Sequence, residues 1–205
     1  MIHKIFGLIL AAGYSSRMGD FKPLVLYNKK PFIEHIINKL AAVCDEILIV
    51  TGFNGYVLED NVKEIYNGKP ILKKIDFINN KDFIKGMFSS VQIGLKELFP
   101  EMQKDDYVML HLVDQPHISE VVYEKLAHEA HNFARKVILP SYEKKAGHPI
   151  ILSRYIVEKI INAPVSDNLR DVLRKFHDEI SYIEILDESI VQDVNTQNER
   201  ERYLK

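Results

Sequence analysis

A buried strand that breaks abruptly into small residues is the feature that most constrains this chain. The apolar run from Ile5 to Leu10 predicts a short strand, and Ala11, Ala12 and Gly13 follow it directly. Glycine permits backbone angles and close approaches that a side chain would block. A loop of this kind, leaving a strand, can present backbone N–H groups to phosphates. We therefore expect a phosphate-binding loop near the N-terminus.

Two cations follow in the same loop, Arg17 as a flat fork and Lys22 as a point charge. Two well-known phosphate loops do not fit. Asp20 stands where the Gly-x-x-x-x-Gly-Lys-Ser/Thr loop needs its lysine after the second glycine. The spacing from Gly13 to Gly19 also differs from Gly-x-Gly-x-x-Gly. The sequence thus indicates a third kind of phosphate loop.

Strand-like and helix-like segments alternate along the chain. Apolar runs predict further strands at 23–26, 46–50, 75–78, 107–113, 137–140, 150–152 and 180–186. Apolar residues at helical spacing fill most of the intervals. This alternation predicts an α/β fold, a three-layer α/β/α arrangement with a mostly parallel sheet. A chain of 205 residues fits one domain, so we expect a single domain over 1–205.

Composition narrows the partners and the compartment. The formal net charge is −2, so no global field would attract nucleic acid or an acidic membrane. No apolar run is long enough to cross a bilayer. Cys44 is the one cysteine, which suits a reducing compartment. We expect a cytoplasmic protein that binds neither nucleic acid nor membrane and recognises phosphate only locally.

The strand predicted at 107–113 ends in a carboxylate, Asp114. Ligands of open parallel sheets bind beyond the carboxyl ends of the strands. A carboxylate there can coordinate Mg²⁺ together with substrate phosphates. The alternative is that Asp114 caps the helix that follows. His111, inside the apolar strand, is expected to be a hydrogen-bonded core residue.

The loop as a whole identifies a family. Leu10-Ala11-Ala12-Gly13-x-Ser15-x-Arg17-Met18-Gly19-x-x-Lys22 resembles the signature of nucleotidyltransferases related to the molybdopterin dinucleotide synthases, most closely the molybdenum cofactor cytidylyltransferases. The resemblance covers essentially the whole chain. It implies a Rossmann-like nucleotidyltransferase domain that uses Mg²⁺ to transfer CMP from CTP to the phosphate of molybdopterin, releasing pyrophosphate. A molybdenum hydroxylase would receive the product.

The resemblance also implies which residues form the site. Lys22, Arg17 and Asp114 would be catalytic. The nucleotide would lie against Leu10, Ala11, Ala12, Gly13, Arg17, Lys22, Asn80, Gly86, Ser89 and Ser90. An alternative for the two serines is that they satisfy N–H groups in the first turn of a helix.

The acceptor and the metal are assigned in the same way. The acceptor would contact Gln115, Gly147, His148 and Pro149. Gly147 is expected to let a ligand approach closely. Mg²⁺ would bind Asp114 together with Asp193 or Asn195, of which only Asp193 carries a charge.

Three alternatives stay open. Guanylyl-transferring relatives typically carry a glycine where this chain has Ala12, and the extra methyl group favours the smaller pyrimidine of CTP over GTP. Another phosphorylated acceptor, such as a sugar phosphate, is the second alternative. The third is a non-catalytic accessory protein that binds the cofactor for molybdenum hydroxylases.

Overall fold

A central β-sheet organises the structure, a computed structural model that describes residues 3–14 and 21–194. Its strands form from the short, buried apolar segments of the sequence. The strands in this part of the chain are, in order, β1 (Ile5–Leu10), β2 (Leu26–Tyr27), β3 (Lys30–Pro31), β4 (Glu46–Thr51), β5 (Ile75–Asn79), β6 (Tyr107–Leu112), β7 (Val137–Tyr142), β8 (Lys145–Ala146), β9 (Ile150–Ser153) and β10 (Ile180–Glu184).

The main sheet is mostly parallel, as predicted. Its strand order is β10-β7-β9-β6-β1-β4-β5, and β8 pairs with the last two residues of β7. β1 lies between β6 and β4 and is parallel to both. β9 runs antiparallel to its neighbours β6 and β7. All six residues of β1 are buried, as a central strand covered on both faces requires.

Helices cover both faces of the sheet and complete the predicted three layers. They are α1 (Phe32–Val43), α2 (Gly55–Ile65), α3 (Met87–Leu98), α4 (Glu120–Asn132), α5 (Arg154–Ile161) and α6 (Leu169–Arg174). The apolar sides of α1, α2 and α4 pack in one cluster, and those of α3, α5 and α6 pack in another, which we call the α3-side cluster. α3 lies so close to the sheet that a Cβ on Gly94 would come within 2.6 Å of the Leu8 side chain.

The predicted strand at 23–26 is wrong. Lys22–Leu24 forms a 3-10 helix instead, because Pro23 lacks an N–H and its fixed φ suits a first helical turn. The chain then enters the β2–β3 hairpin, whose two turn residues, Asn28 and Lys29, have φ of 46° and 67°. Positive φ at both turn positions is typical of a tight two-residue hairpin.

The last described residues of the chain lie across the carboxyl edge of the sheet. A 3-10 helix at Glu188–Val191 leads into residues 192–194, and we call the whole stretch the 188–194 segment. Val194 is fully buried beside Val25 and Phe32. No helix within residues 3–14 and 21–194 combines the length and apolar character needed to cross a membrane.

Candidate active site

Lys22 and Asp114 meet at the carboxyl edge of the sheet. Lys22 opens the 3-10 helix after the loop, and Asp114 lies two positions beyond the end of β6. The Lys22 Nζ donates a hydrogen bond to Asp114 Oδ2 at 3.1 Å, although 92 positions separate the two residues. Their side chains are only 14% and 22% exposed, and reduced contact with water strengthens the attraction between their charges. Two predicted catalytic residues are therefore brought together.

The second oxygen of Asp114 fits a metal ligand. Asp114 Oδ1 is buried and has no hydrogen-bond partner among the described residues. Buried polar atoms normally have a partner, so an oxygen of this kind suits a bound cation. Mg²⁺ prefers oxygen ligands and keeps waters and phosphates in its remaining positions.

The 188–194 segment brings Asp193 to the same edge. The Val194 N–H donates to the Asp114 carbonyl at 2.9 Å. The Gln115 side chain donates from Nε2 to Asp193 Oδ1 at 3.0 Å and to the Gln192 carbonyl at 3.2 Å. Asn195 and Arg17 lie outside the described residues. Within residues 3–14 and 21–194, no three acidic, cysteine or histidine side chains gather as a protein-only metal cluster, so water and phosphate would have to complete a shell at Asp114 and Asp193.

The base of the loop is fixed against the end of β4. The Ala11 N–H donates to the Val50 carbonyl at 2.9 Å, and the Phe53 N–H donates to the Ala12 carbonyl at 3.3 Å. A Cβ on Gly52 would come within 2.6 Å of that carbonyl, so only glycine permits this contact. Ala12 is 3% exposed and packs in the α3-side cluster. Its methyl group therefore offers little surface to a base, contrary to the expectation from the sequence.

Asn80 organises the start of α3. Its Nδ2 donates to the hydroxyls of Ser89 and Ser90, each at 2.9 Å, and all three residues are buried. Ser89 Oγ donates to the Gly86 carbonyl at 2.8 Å. The four residues predicted to bind the nucleotide near α3 thus lie together. Gly86 is the N-cap residue of α3, and the two serines, which lie in the first turn, accept hydrogen bonds from Asn80.

Gly147 makes a close contact with the protein's own backbone. A Cβ there would lie 2.2 Å from the Ile190 carbonyl oxygen. The same carbonyl accepts the His148 N–H at 2.9 Å. The expectation that Gly147 leaves room for a ligand is therefore corrected, because the 188–194 segment fills the position that a Cβ would take.

His148 places a neutral imidazole beside the carboxylate. Burial lowers the pKa of His148 to about 4, although the nearby Asp114 charge and a backbone hydrogen bond to Leu110 oppose the shift. Its Nδ1 is buried and has no hydrogen-bond partner in the described part of the chain. His148 is therefore uncharged at neutral pH and does not compete with Lys22 for Asp114.

Lys39 holds the loop that follows Asp114. Its Nζ donates to the carbonyls of Pro116 and Ile118, both at 2.6 Å, and so ties this loop to α1. Burial lowers the pKa of Lys39 to about 8, while the carboxylates of Glu120 and Asp187 oppose the shift. Sequence reasoning missed Lys39 because nothing in its neighbourhood along the chain reveals a contact across 77 positions.

His111 is a core residue, as its place in an apolar strand predicts. It is fully buried, with Nδ1 bonded to the Leu112 carbonyl at 2.6 Å and Nε2 to the Tyr123 hydroxyl at 2.6 Å. Burial lowers the pKa of His111 to about 3. The carbonyl can only accept, so Nδ1 carries the proton and the Tyr123 hydroxyl donates to Nε2.

A cleft of about 810 Å³ opens beside His148, between α3, the ends of β6 and β7, and α6. We call it the basic cleft. Its floor is apolar, with Leu10 from β1 and Leu112 from β6 among its residues. Its polar lining includes Lys144, Lys145, Gly147, His148, Asn168, Arg170, Arg174 and Tyr182. Sequence reasoning placed Gly147 and His148 in the site but missed both arginines.

Comparison with known proteins identifies the family of this chain. The family model of the MobA-like NTP transferase domain matches residues 7–180. The chain belongs to this family. It is a nucleotidyltransferase, and the family assigned from the loop is confirmed.

Two curated relatives match nearly the full chain. The molybdenum cofactor cytidylyltransferase of Escherichia coli K12 is 28% identical over 200 residues, which is 96% of this chain and 95% of the relative. The probable molybdenum cofactor guanylyltransferase of Flavobacterium johnsoniae is 27% identical over 195 residues, 93% of this chain and 92% of the relative. The two differ in the nucleotide that they are named for.

The fold is shared with solved structures of other proteins. Rv0371c from Mycobacterium tuberculosis matches with a TM-score of 0.77 at 18% identity, covering 98% of both chains. A second structure of Rv0371c is a complex with manganese and has a TM-score of 0.68. Enzymes of this kind generally use a divalent metal.

Proposed function

We propose that this protein transfers CMP from CTP to the phosphate of molybdopterin, with Mg²⁺ as the metal. The observation that carries the proposal is the 3.1 Å contact between Lys22 and Asp114, which joins the phosphate loop to a carboxylate with one unpartnered oxygen. We further propose that residues 1–205 act as one nucleotidyltransferase domain in the cytoplasm, and that a molybdenum hydroxylase receives the product.

The reaction needs positioning and charge stabilisation more than a covalent enzyme intermediate. The acceptor's phosphate oxygen attacks the α-phosphorus of CTP and forms a new P–O bond. The bond from the α-phosphorus to the α–β bridging oxygen breaks, and pyrophosphate leaves with that oxygen. The Lys22 ammonium, together with Arg17 of the loop, would neutralise the triphosphate and the charge that develops on it.

Asp114 and Asp193 would hold the metal, with Asn195 as a further oxygen ligand. When bound, Mg²⁺ supplies Lewis-acid stabilisation of the reacting phosphates. The chain's own contribution is to fix the two carboxylates. Lys22 orients Asp114 through Oδ2, and Gln115 orients Asp193 through its side-chain amide.

The nucleotide and the acceptor occupy different walls in this proposal. Leu10 to Gly13, with the Asn80, Gly86, Ser89 and Ser90 cluster, would line the nucleotide. Gln115, Gly147, His148 and Pro149 would lie on the acceptor side. Because the Ala12 methyl group is buried, the preference for CTP rests on the similarity to the Escherichia coli cytidylyltransferase rather than on a contact with the base.

The test is pyrophosphate release with Mg²⁺ and molybdenum cofactor, comparing CTP, GTP and ATP. We expect release with CTP and its loss in Lys22→Ala. The control variant Lys96→Ala, which removes an exposed lysine of α3 far from the site, should keep the wild-type rate. Release with GTP alone would keep the mechanism and reject the nucleotide. Nucleotide binding without any release would reject transfer to molybdopterin and favour another acceptor or an accessory role.

A further inference from the structure

The basic cleft is positively charged, although the chain as a whole carries a slight net negative charge. The chain carries 29 acidic and 27 basic residues. Four of the basic residues, Lys144, Lys145, Arg170 and Arg174, line this one cleft, and none of its lining residues in the described part of the chain is acidic. A concave surface lined by one sign of charge raises the local concentration of the opposite ion. The charge of the cleft therefore favours the binding of an anion.

The two arginines owe their position to α6. Leu169, Val172 and Leu173 turn inward to the α3-side cluster. Arg170 and Arg174 are four positions apart, so they lie on one face of the helix, one turn from each other. The Asn168 side chain accepts the Asp171 N–H at 2.9 Å and fixes where the helix begins. Arg174 also forms an ion pair with Asp171 at 3.1 Å. A single substitution is therefore easier to interpret at Arg170.

The apolar floor defines the rest of the ligand. Leu112, Ile150 and Leu139 come from the three neighbouring strands β6, β9 and β7 and form a surface that a sugar, rich in hydroxyl groups, would not cover well. Tyr182 is 60% exposed at the rim, where its ring can cover a flat group. The cleft thus combines an apolar body site with a cationic rim.

We propose that Arg170 and Arg174 are specificity-determining residues that bind the anionic group of the acceptor, while the apolar surface of Leu112, Leu139 and Ile150 receives its ring system. The inference rests on the proposed function, because His148 lines the cleft and lies close enough to Asp114 for the carboxylate charge to raise its pKa. It selects a phosphorylated acceptor with a flat ring system over a sugar phosphate. An arginine fork gives charge-assisted, bidentate hydrogen bonds to phosphate.

A binding experiment tests this without turnover. The probe is 6-hydroxymethylpterin phosphate, followed by its own fluorescence polarisation, with unphosphorylated 6-hydroxymethylpterin and glucose 1-phosphate as comparison ligands. The variants are Arg170→Met, Arg170→Lys and the double variant Arg170→Met/Arg174→Met. Arg135→Met is the matched control, because Arg135 is an exposed arginine stacked on Phe133 after α4, away from the cleft.

We expect the double variant to weaken binding of the pterin phosphate by at least about tenfold, the size of a lost charge-assisted hydrogen bond. Arg170→Lys should restore part of the loss that Arg170→Met causes, and Arg135→Met should bind as the wild type does. CTP binding, measured by calorimetry, should stay unchanged in all four variants.

Three results would overturn the inference. Unchanged pterin phosphate binding in the double variant would remove the arginines from the acceptor site. A loss of CTP binding would assign the cleft to the nucleotide. Tighter binding of glucose 1-phosphate than of the pterin phosphate would reject the acceptor class. Failure of the proposed function looks different, because it would abolish pyrophosphate release with molybdenum cofactor in the wild type.

Discussion

His111 and His148 should dominate the response of the protein to acid, and His35, His117 and His131 act in the same direction because burial lowers their pKa too. Burial lowers the pKa of His111 to about 3 and that of His148 to about 4, from an ordinary value of 6.5. Below pH 6.5 these two histidines bind protons in the unfolded chain but not in the folded protein. The free energy of unfolding therefore falls as the pH drops towards 4. At one pH unit below 6.5, each histidine should have removed about 1.4 kcal/mol of the stability present at higher pH.

Urea denaturation at pH 7.5, 6.5 and 5.5 checks this expectation. Both groups act in the same direction, so the loss for His111 and His148 together is about 3 kcal/mol at pH 5.5. His111→Gln should reduce the loss at pH 5.5 by about 1.4 kcal/mol, because glutamine does not titrate. Stability that is flat from pH 7.5 to 5.5 would show that the two imidazoles are not neutral and buried.

At the scale of elements, we expect the contact between the Gly147 loop and the 188–194 segment to position Asp193, the second carboxylate of the proposed metal site. Gly147→Ala would put a Cβ against the Ile190 carbonyl, a backbone atom that can move only with its segment. Displacing that segment loosens the contacts of Val194 with Asp114 and of Asp193 with Gln115. We expect a loss of about 1–3 kcal/mol of stability from overpacking and a higher Mg²⁺ requirement for activity.

Gly68→Ala is the matched control for this change. Gly68 has φ of +72°, and beyond its chain neighbours no heavy atom lies within 4 Å of the position that a Cβ would take. Alanine there therefore strains the backbone without touching the site. Both variants should lower the melting temperature, but only Gly147→Ala should raise the Mg²⁺ concentration needed for half-maximal rate. An unaltered Mg²⁺ requirement in Gly147→Ala would separate the 188–194 segment from the metal site.

The elements that sequence predicts well are those whose periodicity is local. The apolar run Ile5–Leu10 and the spacing of apolar residues in α1 predict the central strand and the first helix because burial alone decides them. The strand prediction at 23–26 is wrong because a 3-10 turn shares its apolar character, and Pro23 decides between the two. Arg170 escapes sequence reasoning for a different reason, since only the packing of α6 shows which cleft it lines.

At the scale of the whole molecule, the parallel strands gather residues that are distant in sequence. Lys22 follows β1, Asp114 follows β6, and β1 and β6 are neighbours in the sheet. The rule that ligands bind beyond the carboxyl ends of parallel strands predicts this edge from the sequence. It does not predict the Lys39 contacts or the Gly147 contact, because these depend on how separate loops pack against one another.

The measurement that tests the central claim most directly follows the α-phosphate of CTP. CTP labelled with ³²P at the α position is incubated with molybdenum cofactor, Mg²⁺ and either the wild type or Asp114→Asn. We expect the label in the nucleotidylated cofactor and none in pyrophosphate. Asp114→Asn should lower this transfer by about 100-fold or more while the melting temperature changes little. Label recovered only as CMP, or transfer by Asp114→Asn at the wild-type rate, would contradict the assignment of this site.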